Sequence, residues 1–524
     1  MNTRKNTFFC FVVLGLMLLL PAHQVSAENE QNQKDLLARK IAFKLAQGKK
    51  PVKHFNRALW EGLGHMVYAT ASYWIRQDVM KEDWEYHFTW EDQKKRIFQL
   101  DGFRMDSNTF EFNWTHSLAG GMYYNYARTN NFNKFESLLY TVTCSFAWES
   151  LVEFKEVISI NDMITTPLGG VSFGESQYQL GRYFRSQRPT FINKIARILS
   201  NPIMAFNEWL DRKKYKDPFA YGEGQFWGDC RLVVGPRFDT MIGENANTLT
   251  HVGLEAQIFH LPGYGEPGST SMHIKDTLFS EFNLGACYSK KGMYEFDIFA
   301  KAVLFGRFSQ NIQGTSANDR RGYSFFVGAA SVFDVMNLNP DKLPADANAS
   351  VPDKADKHCI INLLGPTVDF TIYRDRLKIR LGADAYADFA LIHSHAFKKY
   401  KQLFPVAVTK CILAEHGYYY ALGVTLSSLL QIEYGNLELK GAVRFQYFDS
   451  IDGMDRFQPD ITPGNDFNLK DRRVNYQLSL GYRIPHTPIQ VAAGLERLER
   501  WGTVEKFAQS SNEKRSYLQI QYLF

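Results

Sequence analysis

Long apolar runs are absent from this chain once its first 27 residues are passed. No later stretch approaches the ~20 uninterrupted apolar residues that a membrane-crossing helix needs. The nearest candidate, Leu403 to Ile432, is broken by Lys410, Glu415 and His416, so a helical membrane protein is excluded. An excess of one charge is missing too: 60 Lys and Arg stand against 55 Asp and Glu, a formal net charge of +5. Subtracting Arg4 and Lys5 of the N-terminal segment leaves +3 (5 − 2), too even a balance for nucleic-acid binding, which calls for a concentrated basic patch. Cysteine is scarce and scattered. Beyond Cys10, the five residues Cys144, Cys230, Cys287, Cys359 and Cys411 form no C-x-x-C pair and have no histidine at ligand spacing. No zinc or other metal site and no cofactor is expected, and the odd number leaves at least one free thiol. G-x-S-x-G and H-E-x-x-H are absent, and Gly169-Gly170 with Gly174 is not followed by Lys-Ser, so there is no P-loop.

What is present begins at the N-terminus. Arg4 and Lys5 precede an apolar run from Phe8 to Leu20, then Pro21, then the small residues of Val25-Ser26-Ala27. This reads as a secretory signal peptide over residues 1–27, cut after Ala27. Cys10 lies too early in the run for a lipoprotein. Aromatic residues make up 15% of the chain, with 27 Tyr and 41 Phe, the material of the interfacial girdles of membrane barrels.

The second half alternates with period two. In Lys378 to Phe389, Ile379, Leu381, Ala383, Ala385, Ala387 and Phe389 share one face, and Lys378, Arg380, Asp384 and Asp388 lie on the other. Leu437 to Tyr447 and Arg473 to Ile484 repeat the pattern. Nine weaker segments, near 230–239, 250–259, 279–288, 293–305, 322–333, 365–373, 418–431, 488–496 and 515–524, bring the count to twelve. Lipid demands an apolar side chain at every second position while a lumen tolerates charge, so the expectation is an antiparallel transmembrane β-barrel of about 12 strands over residues 216–524. Arg231, Arg237, Glu255, Glu295, Asp297, Lys301, Arg380, Asp384, Lys440 and Arg444 then face the lumen. Tight connections at Arg374–Arg376, Gly435 and Pro485–Thr487 alternate with long ones at 335–357, 393–416, 449–471 and 499–513. Before residue 320 the rhythm breaks, with a short link at 289–292 and a long one at 260–276. The chain ends on Leu518, Ile520, Tyr522 and Phe524 in alternation, similar to the terminal signature that barrel-assembly machinery reads.

Residues 28–215 shift towards a period of 3.6, which makes the whole α+β: an N-terminal helical domain, then the barrel. Leu37 to Leu45, Ala58 to Ile75, His116 to Arg128 and Asn133 to Phe154 read as helices. In the last, Phe135, Leu138, Leu139, Val142 and Phe146 form one stripe, predicted to be buried, and Glu149 and Glu153 continue it. Buried carboxylates need partners. They either perform proton transfer or ligand binding, or they bond backbone and basic residues such as Arg128. Ser159 with Asp162 fits a helix N-cap, which makes Ser159 a poor nucleophile.

A family resemblance rests on these residues. Phe103-Arg104-Met105-Asp106, Phe110, His116-Ser117-Leu118-Ala119-Gly120 and Tyr123 to Arg128 carry its first part. Ser145-Phe146-Ala147-Trp148-Glu149, Glu153, Ser159-x-x-Asp162, Thr166-Pro167-x-Gly169-Gly170 and Gly174-Glu175 carry the rest. Together they resemble the bacterial family catalogued as domain of unknown function 3943, over roughly residues 50–190. The family's polar positions fall on His116, Arg128, Glu149, Glu153, Asp162 and Glu175. Ser117 departs from it, standing where the family carries proline. The resemblance implies a domain and no activity.

Three functions compete. The preferred one is a non-enzymatic outer-membrane barrel whose helical domain is a lumen plug or periplasmic cap, with a role in envelope transport or structure. Its partners would be outer-membrane lipid and, through Phe524, the barrel-assembly machinery. The second is an outer-membrane enzyme acting on lipid or envelope polymer, with His116 and Glu149 or Glu153 as acid–base groups. The third is an interaction module working through the long outer loops.

Overall fold

The computed structural model describes residues 52–75, 86–99, 102–105, 108–187, 190–212, 227–241, 247–261, 263–274, 279–316, 318–339, 355–404, 412–451 and 467–524. The expected signal peptide, the helix at Leu37 to Leu45, Cys10 and Cys411 lie outside them.

Period-two alternation becomes strands. They are β3 (Trp227–Met241), β4 (Asn247–Phe259), β5 (Gly268–Ile274), β6 (Phe279–Ser289), β7 (Gly292–Gln313), β8 (Arg320–Leu338), β9 (Asp356–Asp375) and β10 (Leu377–His393). β11 (Tyr418–Tyr434), β12 (Leu437–Ser450), β13 (Leu469–Arg483), β14 (Ile489–Val504) and β15 (Phe507–Leu523) follow. Each pairs antiparallel with its neighbour, β15 returns to β3, and β7 pairs with β8, so twelve strands close into a barrel. All twelve expected segments fall on these strands.

The irregularity before residue 320 is real. β5, which the alternation did not reveal, pairs with the far half of β7 (Gly268 opposite Ile312) while β6 pairs with the near half (Ser280 opposite Ala302). The two therefore share one place in the ring. The β6–β7 link is tight although it lies at the end of the barrel that carries the long loops. The expected loop at 499–513 is corrected: β14 runs to Val504, β15 starts at Phe507, and only a tight turn joins them. Alternation marks a strand only where it meets lipid, and a hydrogen-bonded ladder needs no apolar face beyond that boundary.

Among the described residues the 3.6-residue period becomes eight helices before the barrel: α1 (Phe55–Ile75), α2 (Trp90–Phe98), α3 (Phe110–Thr129), α4 (Lys134–Ala147), α5 (Ile160–Ile164), α6 (Gly170–Ser186), α7 (Phe191–Ser200) and α8 (Pro202–Leu210). Thr109 caps α3, so His116 lies inside that helix and does not begin it. Asn133 and Glu136 form a reciprocal capping box on α4. A π-helical turn (Trp148–Val152) extends α4, and another (Thr165–Gly169) joins α5 to α6. β1 (Phe103–Arg104) and β2 (Ile158–Ser159) make one short parallel pair among the helices.

α3 and α6 cross with backbones in contact. A Cβ on Gly120 would lie 1.8 Å from the Thr166 carbonyl oxygen, and one on Gly170 would lie 2.6 Å from the Gly120 carbonyl carbon. Small residues here are a packing requirement. The stripe on α4 corrects the sequence expectation: Phe135, Leu139 and Phe146 are exposed, while Ser137, Thr141 and Ser145 are buried. Glu149 and Glu153 are nevertheless buried, because the wider i→i+5 turn rotates them off that stripe.

The helices lie against the outer wall of the barrel, not in its lumen. Cys230 pairs in register with Ala256, Ala256 with Phe282, Phe282 with Ala300, Ala300 with Phe333, Phe333 with Ile361, and Ile361 with Phe389. All point outward, on the parity opposite to the charged residues, and this row packs with Met105, Phe110, Leu180, Tyr183 and Phe184 in one core. Because barrel strands tilt, the row climbs from the start of β3 to the far end of β10. Phe173 meets Phe282 at 5.9 Å between ring centroids, and Phe184 meets Phe524 at 5.3 Å. The expected plug or periplasmic cap is therefore corrected to a collar on the wall. The small residues Ala256, Ala300 and Cys230, which read as ordinary strand positions, let the helices come close.

Candidate functional site

Two polar constellations exist, one inside the collar and one inside the barrel. In the collar, His116 Nδ1 lies 3.0 Å from the Phe112 carbonyl oxygen, which can only accept, so Nδ1 carries the proton. Nε2 faces Asp162 Oδ2 at 3.5 Å. Asp162 N–H donates to Ser159 Oγ (3.2 Å), confirming the N-cap, and Ser159 N–H donates to a Glu149 carboxylate oxygen (3.0 Å). Glu153 accepts from the Trp148 indole at 2.9 Å. The structure thus sets His116 beside Asp162, with Glu149 one step further along the chain of bonds and Glu153 on a different partner.

Arg128 pairs with Glu175 (Nε to Oε2 2.9 Å), which also accepts from the Tyr124 hydroxyl and the Gln179 amide, each at 2.7 Å. The Arg128 guanidinium stacks on Tyr178, 4.6 Å from the ring centroid. With those donors around it, Glu175 is a satisfied buried anion tying α3 to α6. Sequence reading missed Arg96. It is fully buried and donates to the carbonyls of Glu149, Ser150, Glu153 and Glu156, closing the end of the π-turn. Nothing in its own surroundings in the sequence, a charged amphipathic helix, announces that role.

The lumen is bridged by charge pairs between strands that are not neighbours. Arg231 of β3 reaches Glu438 of β12 at 2.7 Å, and Arg237 of β3 reaches Glu295 of β7 at 2.7 Å. Lys301 of β7 meets Asp384 of β10 at 2.6 Å, Arg444 of β12 meets Asp334 of β8 at 2.8 Å, and Arg473 of β13 meets Asp356 of β9. Arg380 binds Asp369 next door and Gln257 across the lumen, both at 2.5 Å. Lys440 lines the same space and has no ion-pair partner within 4 Å among the described residues. Of the expected lumen charges, Arg231, Arg237, Glu295, Lys301, Arg380, Asp384 and Arg444 are therefore cross-links. Glu438 falls on the polar face of the Leu437 to Tyr447 segment, as expected, but the acidic residues Asp334, Asp356 and Asp369 were missed, and no partner was legible, because alternation gives the face of a residue and not its partner.

Both mouths are filled as well. At the long-loop end the β10–β11 connection carries α9 (Phe397–Leu403) and α10 (Ile412–His416). Ala396, Phe397 and Leu413 pack there on the inward-facing Ile392, Ala421, Phe448 and Val504. At the opposite end the segment after β4 turns inward: Phe259 stacks on Tyr264 (4.0 Å) and on Phe279 (4.3 Å). Arg380 lies 5.7 Å over the Phe259 ring. A cavity of about 430 Å³ remains in the lumen between these closures, and one of about 330 Å³ lies at the short-turn mouth, between Tyr264 and the strand ends that carry Lys378, Glu433 and Arg483.

Fold and site define a class: a closed twelve-stranded antiparallel barrel with a cross-linked lumen and a helical collar on its wall. Residues 102–203 match the family "Domain of unknown function (DUF3943)". The match lies within the collar and ends before the first barrel strand. No curated protein matches the chain. Solved structures similar to it include the loop L8 deletion mutant of OmpT, an outer membrane protein of Vibrio cholerae (11% identity over 57% of this chain and 99% of that one, TM-score 0.20). Others are the KdgM porin (7% identity, 56% and 99%, TM-score 0.20) and the translocator domain of autotransporter NalP from Neisseria meningitidis (8% identity, 62% and 99%, TM-score 0.20).

Proposed function

We propose that this chain is an outer-membrane barrel with a structural, non-conducting role, a scaffold that carries its helical collar at the membrane. The observation that carries this reading is the set of ion pairs thrown across the lumen. A conducting pore needs a continuous aqueous path, and here opposite charges meet in its middle.

The membrane assignment is supported by the wall the collar leaves bare. Leu422, Val424, Leu426 and Leu430 of β11, Leu478 and Leu480 of β13, and Leu518 and Ile520 of β15 are exposed. Tyr434, Tyr482 and Tyr522 stand at the ends of their strands on the short-turn rim, the place of an interfacial girdle. Phe524 donates its N–H to the Cys230 carbonyl (3.0 Å), sealing the closing pair of strands, which suits a terminal residue recognised during assembly.

Purified full-length protein added to planar bilayers tests the reading. Silence is expected, and steady single-channel conductance overturns the closed lumen. Outer-membrane fractionation with heat-modifiable gel migration tests the location. The enzyme reading has the His116–Asp162 contact in its favour, and neither of the two cavities described above touches that pair.

A further inference from the structure

The collar has the polarity of a protein turned inside out for water. On α4 the buried positions are Ser137, Thr141, Cys144 and Ser145, and the exposed ones include Phe135 (66%), Leu139 (49%) and Phe146 (43%). On α1 the inward face carries Arg57, Glu61 and His65, each held by α3. Arg57 Nε donates to Asn130 Oδ1 (2.5 Å), Asn130 donates to Glu61 (2.8 Å), and His65 Nδ1 meets the Tyr126 hydroxyl at 3.1 Å. Its outward face, by contrast, is Leu59, Trp60, Leu63, Val67, Tyr68 and Ile75, with no charge among its exposed positions from 59 to 75. At 1.5 Å rise per residue that stretch is about 24 Å long, close to the ~30 Å hydrocarbon core of a bilayer. α7 and α8 continue the surface with Ile195, Ile198, Phe206 and Trp209, while Arg197 turns inward to Glu208.

In water, burial of Ser and Thr beneath exposed Phe and Leu inverts the usual preference. Against lipid it is the expected order, since polar groups must be satisfied inside the protein. No described helix is long and apolar enough to cross a membrane alone; the inward polar groups of α1 lower its hydropathy and are answered by α3 and its cap, while Thr141 of α4 bonds a carbonyl of its own helix. The charged α2, exposing Glu91, Lys94 and Lys95, lies beside the C-terminal end of α1, and Lys53 precedes its N-terminal end. Charge is thus confined to the two ends of the α1 face; on α7, Lys194 in the first turn is exposed beside Phe191 and Ile195.

We infer that the outward face of α1, α4, α7 and α8 is covered by lipid acyl chains, so that the collar is embedded in the bilayer beside the barrel. This rests on the reading of the barrel as membrane-spanning, whose bare leucine wall is continuous with the helical surface. The occupant is bilayer lipid because the α1 face is uncharged over about one leaflet pair and, like the barrel wall, turns its polar groups inward and its apolar ones out.

The test uses the full chain in phosphatidylcholine vesicles, with a nitroxide label at Leu139→Cys or at Ile195→Cys. Leu478→Cys on the barrel wall and Arg321→Cys at the exposed first residues of β8 serve as references. Cys144, Cys230, Cys287 and Cys359 are buried, and the unsubstituted chain supplies the blank. Power saturation is compared under oxygen, which concentrates in lipid, and under a water-soluble nickel chelate. Oxygen is expected to dominate at Leu139, Ile195 and Leu478, and nickel at Arg321. Nickel dominating at Leu139 and Ile195 while oxygen dominates at Leu478 overturns the embedded collar and leaves the barrel reading intact. Low access to both reagents at the helical sites overturns it in favour of a protein partner, including a second copy. Nickel dominating at Leu478 overturns the barrel reading itself.

Discussion

Arg231 and Glu438 join opposite parts of the barrel wall, with guanidinium nitrogens 2.9 and 2.7 Å from the two carboxylate oxygens. The residues sit on β3 and β12, separated in the ring by β15, β14 and β13. Arg231 also holds Asp229 (Nε to Oδ1 2.7 Å), so losing Glu438 leaves the arginine one carboxylate, while losing Arg231 leaves two carboxylates without their cation. Glu438→Gln is therefore expected to cost on the order of 1 kcal/mol and Arg231→Met on the order of 3 kcal/mol, each lowering the temperature at which the heat-modifiable band converts. Arg231→Met combined with Glu438→Leu should cost less than the two single changes together, because Glu438 is then not left without its arginine. Strict additivity would mean that the pair does not couple the two walls.

The crossing of α3 and α6 allows a matched comparison. Gly120→Ala places a methyl group against the Thr166 carbonyl, and the backbones must separate. Gly64 of α1 is also helical, but a Cβ there meets nothing within 4 Å. Gly64→Ala should stabilise by up to about 1 kcal/mol through helix propensity, and Gly120→Ala should destabilise by about 1–3 kcal/mol through overpacking. Protease resistance of the collar in detergent reads both. Equal effects at the two positions would remove the close crossing as the reason for glycine.

How much of this was legible depended on what each signal measures. Alternation found every one of the twelve barrel strands because lipid and lumen impose opposite chemistry on successive residues, as Arg380 and Leu381 show. It missed β5, whose Ser269, Thr270 and Ser271 carry no apolar contrast. The α4 stripe was identified correctly and assigned to the wrong side: amphipathicity gives two faces without saying which solvent each meets, and Leu139 faces outward. Ser159 was legible as a cap because its bond is local. Arg96, whose partners lie more than 50 residues away, and Asp162 as the partner of His116 were not, since long-range pairing leaves no periodic trace.

A pH response is expected at the turn between β7 and β8, outside the barrel wall. Asp319 accepts from the Thr315 hydroxyl (2.8 Å) and from the backbone N–H groups of Ser316 (2.6 Å) and Thr315 (3.0 Å). These bonds hold its carboxyl well below the usual carboxylate range. A depressed value means that the turn's stabilisation is fully present above the unfolded value of about 3.9 and is lost as pH falls through the folded one. The amide resonances of Thr315 and Ser316 should titrate with a midpoint clearly below that of a free aspartate. They should show no such titration in Asp319→Asn. An ordinary midpoint would mean that the bonds do not persist in solution.

The seam between collar and barrel yields the sharpest separation of the two parts. Ser176 of α6 donates to the Lys301 carbonyl (3.1 Å), and Ser172 meets the Ser331 hydroxyl at 2.7 Å. Ala300 lies fully buried beside them on the outward face of β7. A leucine at position 300 adds volume where α6 presses on the wall, yet leaves the lumen pairs and the strand ladder untouched. Ala300→Leu should therefore loosen the collar by about 1–3 kcal/mol and speed proteolytic cleavage within α6, while the heat-modifiable barrel band stays at its wild-type position. If barrel and collar melt together in this variant, the collar is a structural part of the barrel wall and not a unit docked upon it. The scaffold role would then belong to the assembly as a whole, because a barrel that cannot stand without its helices has no separate surface on which to carry them.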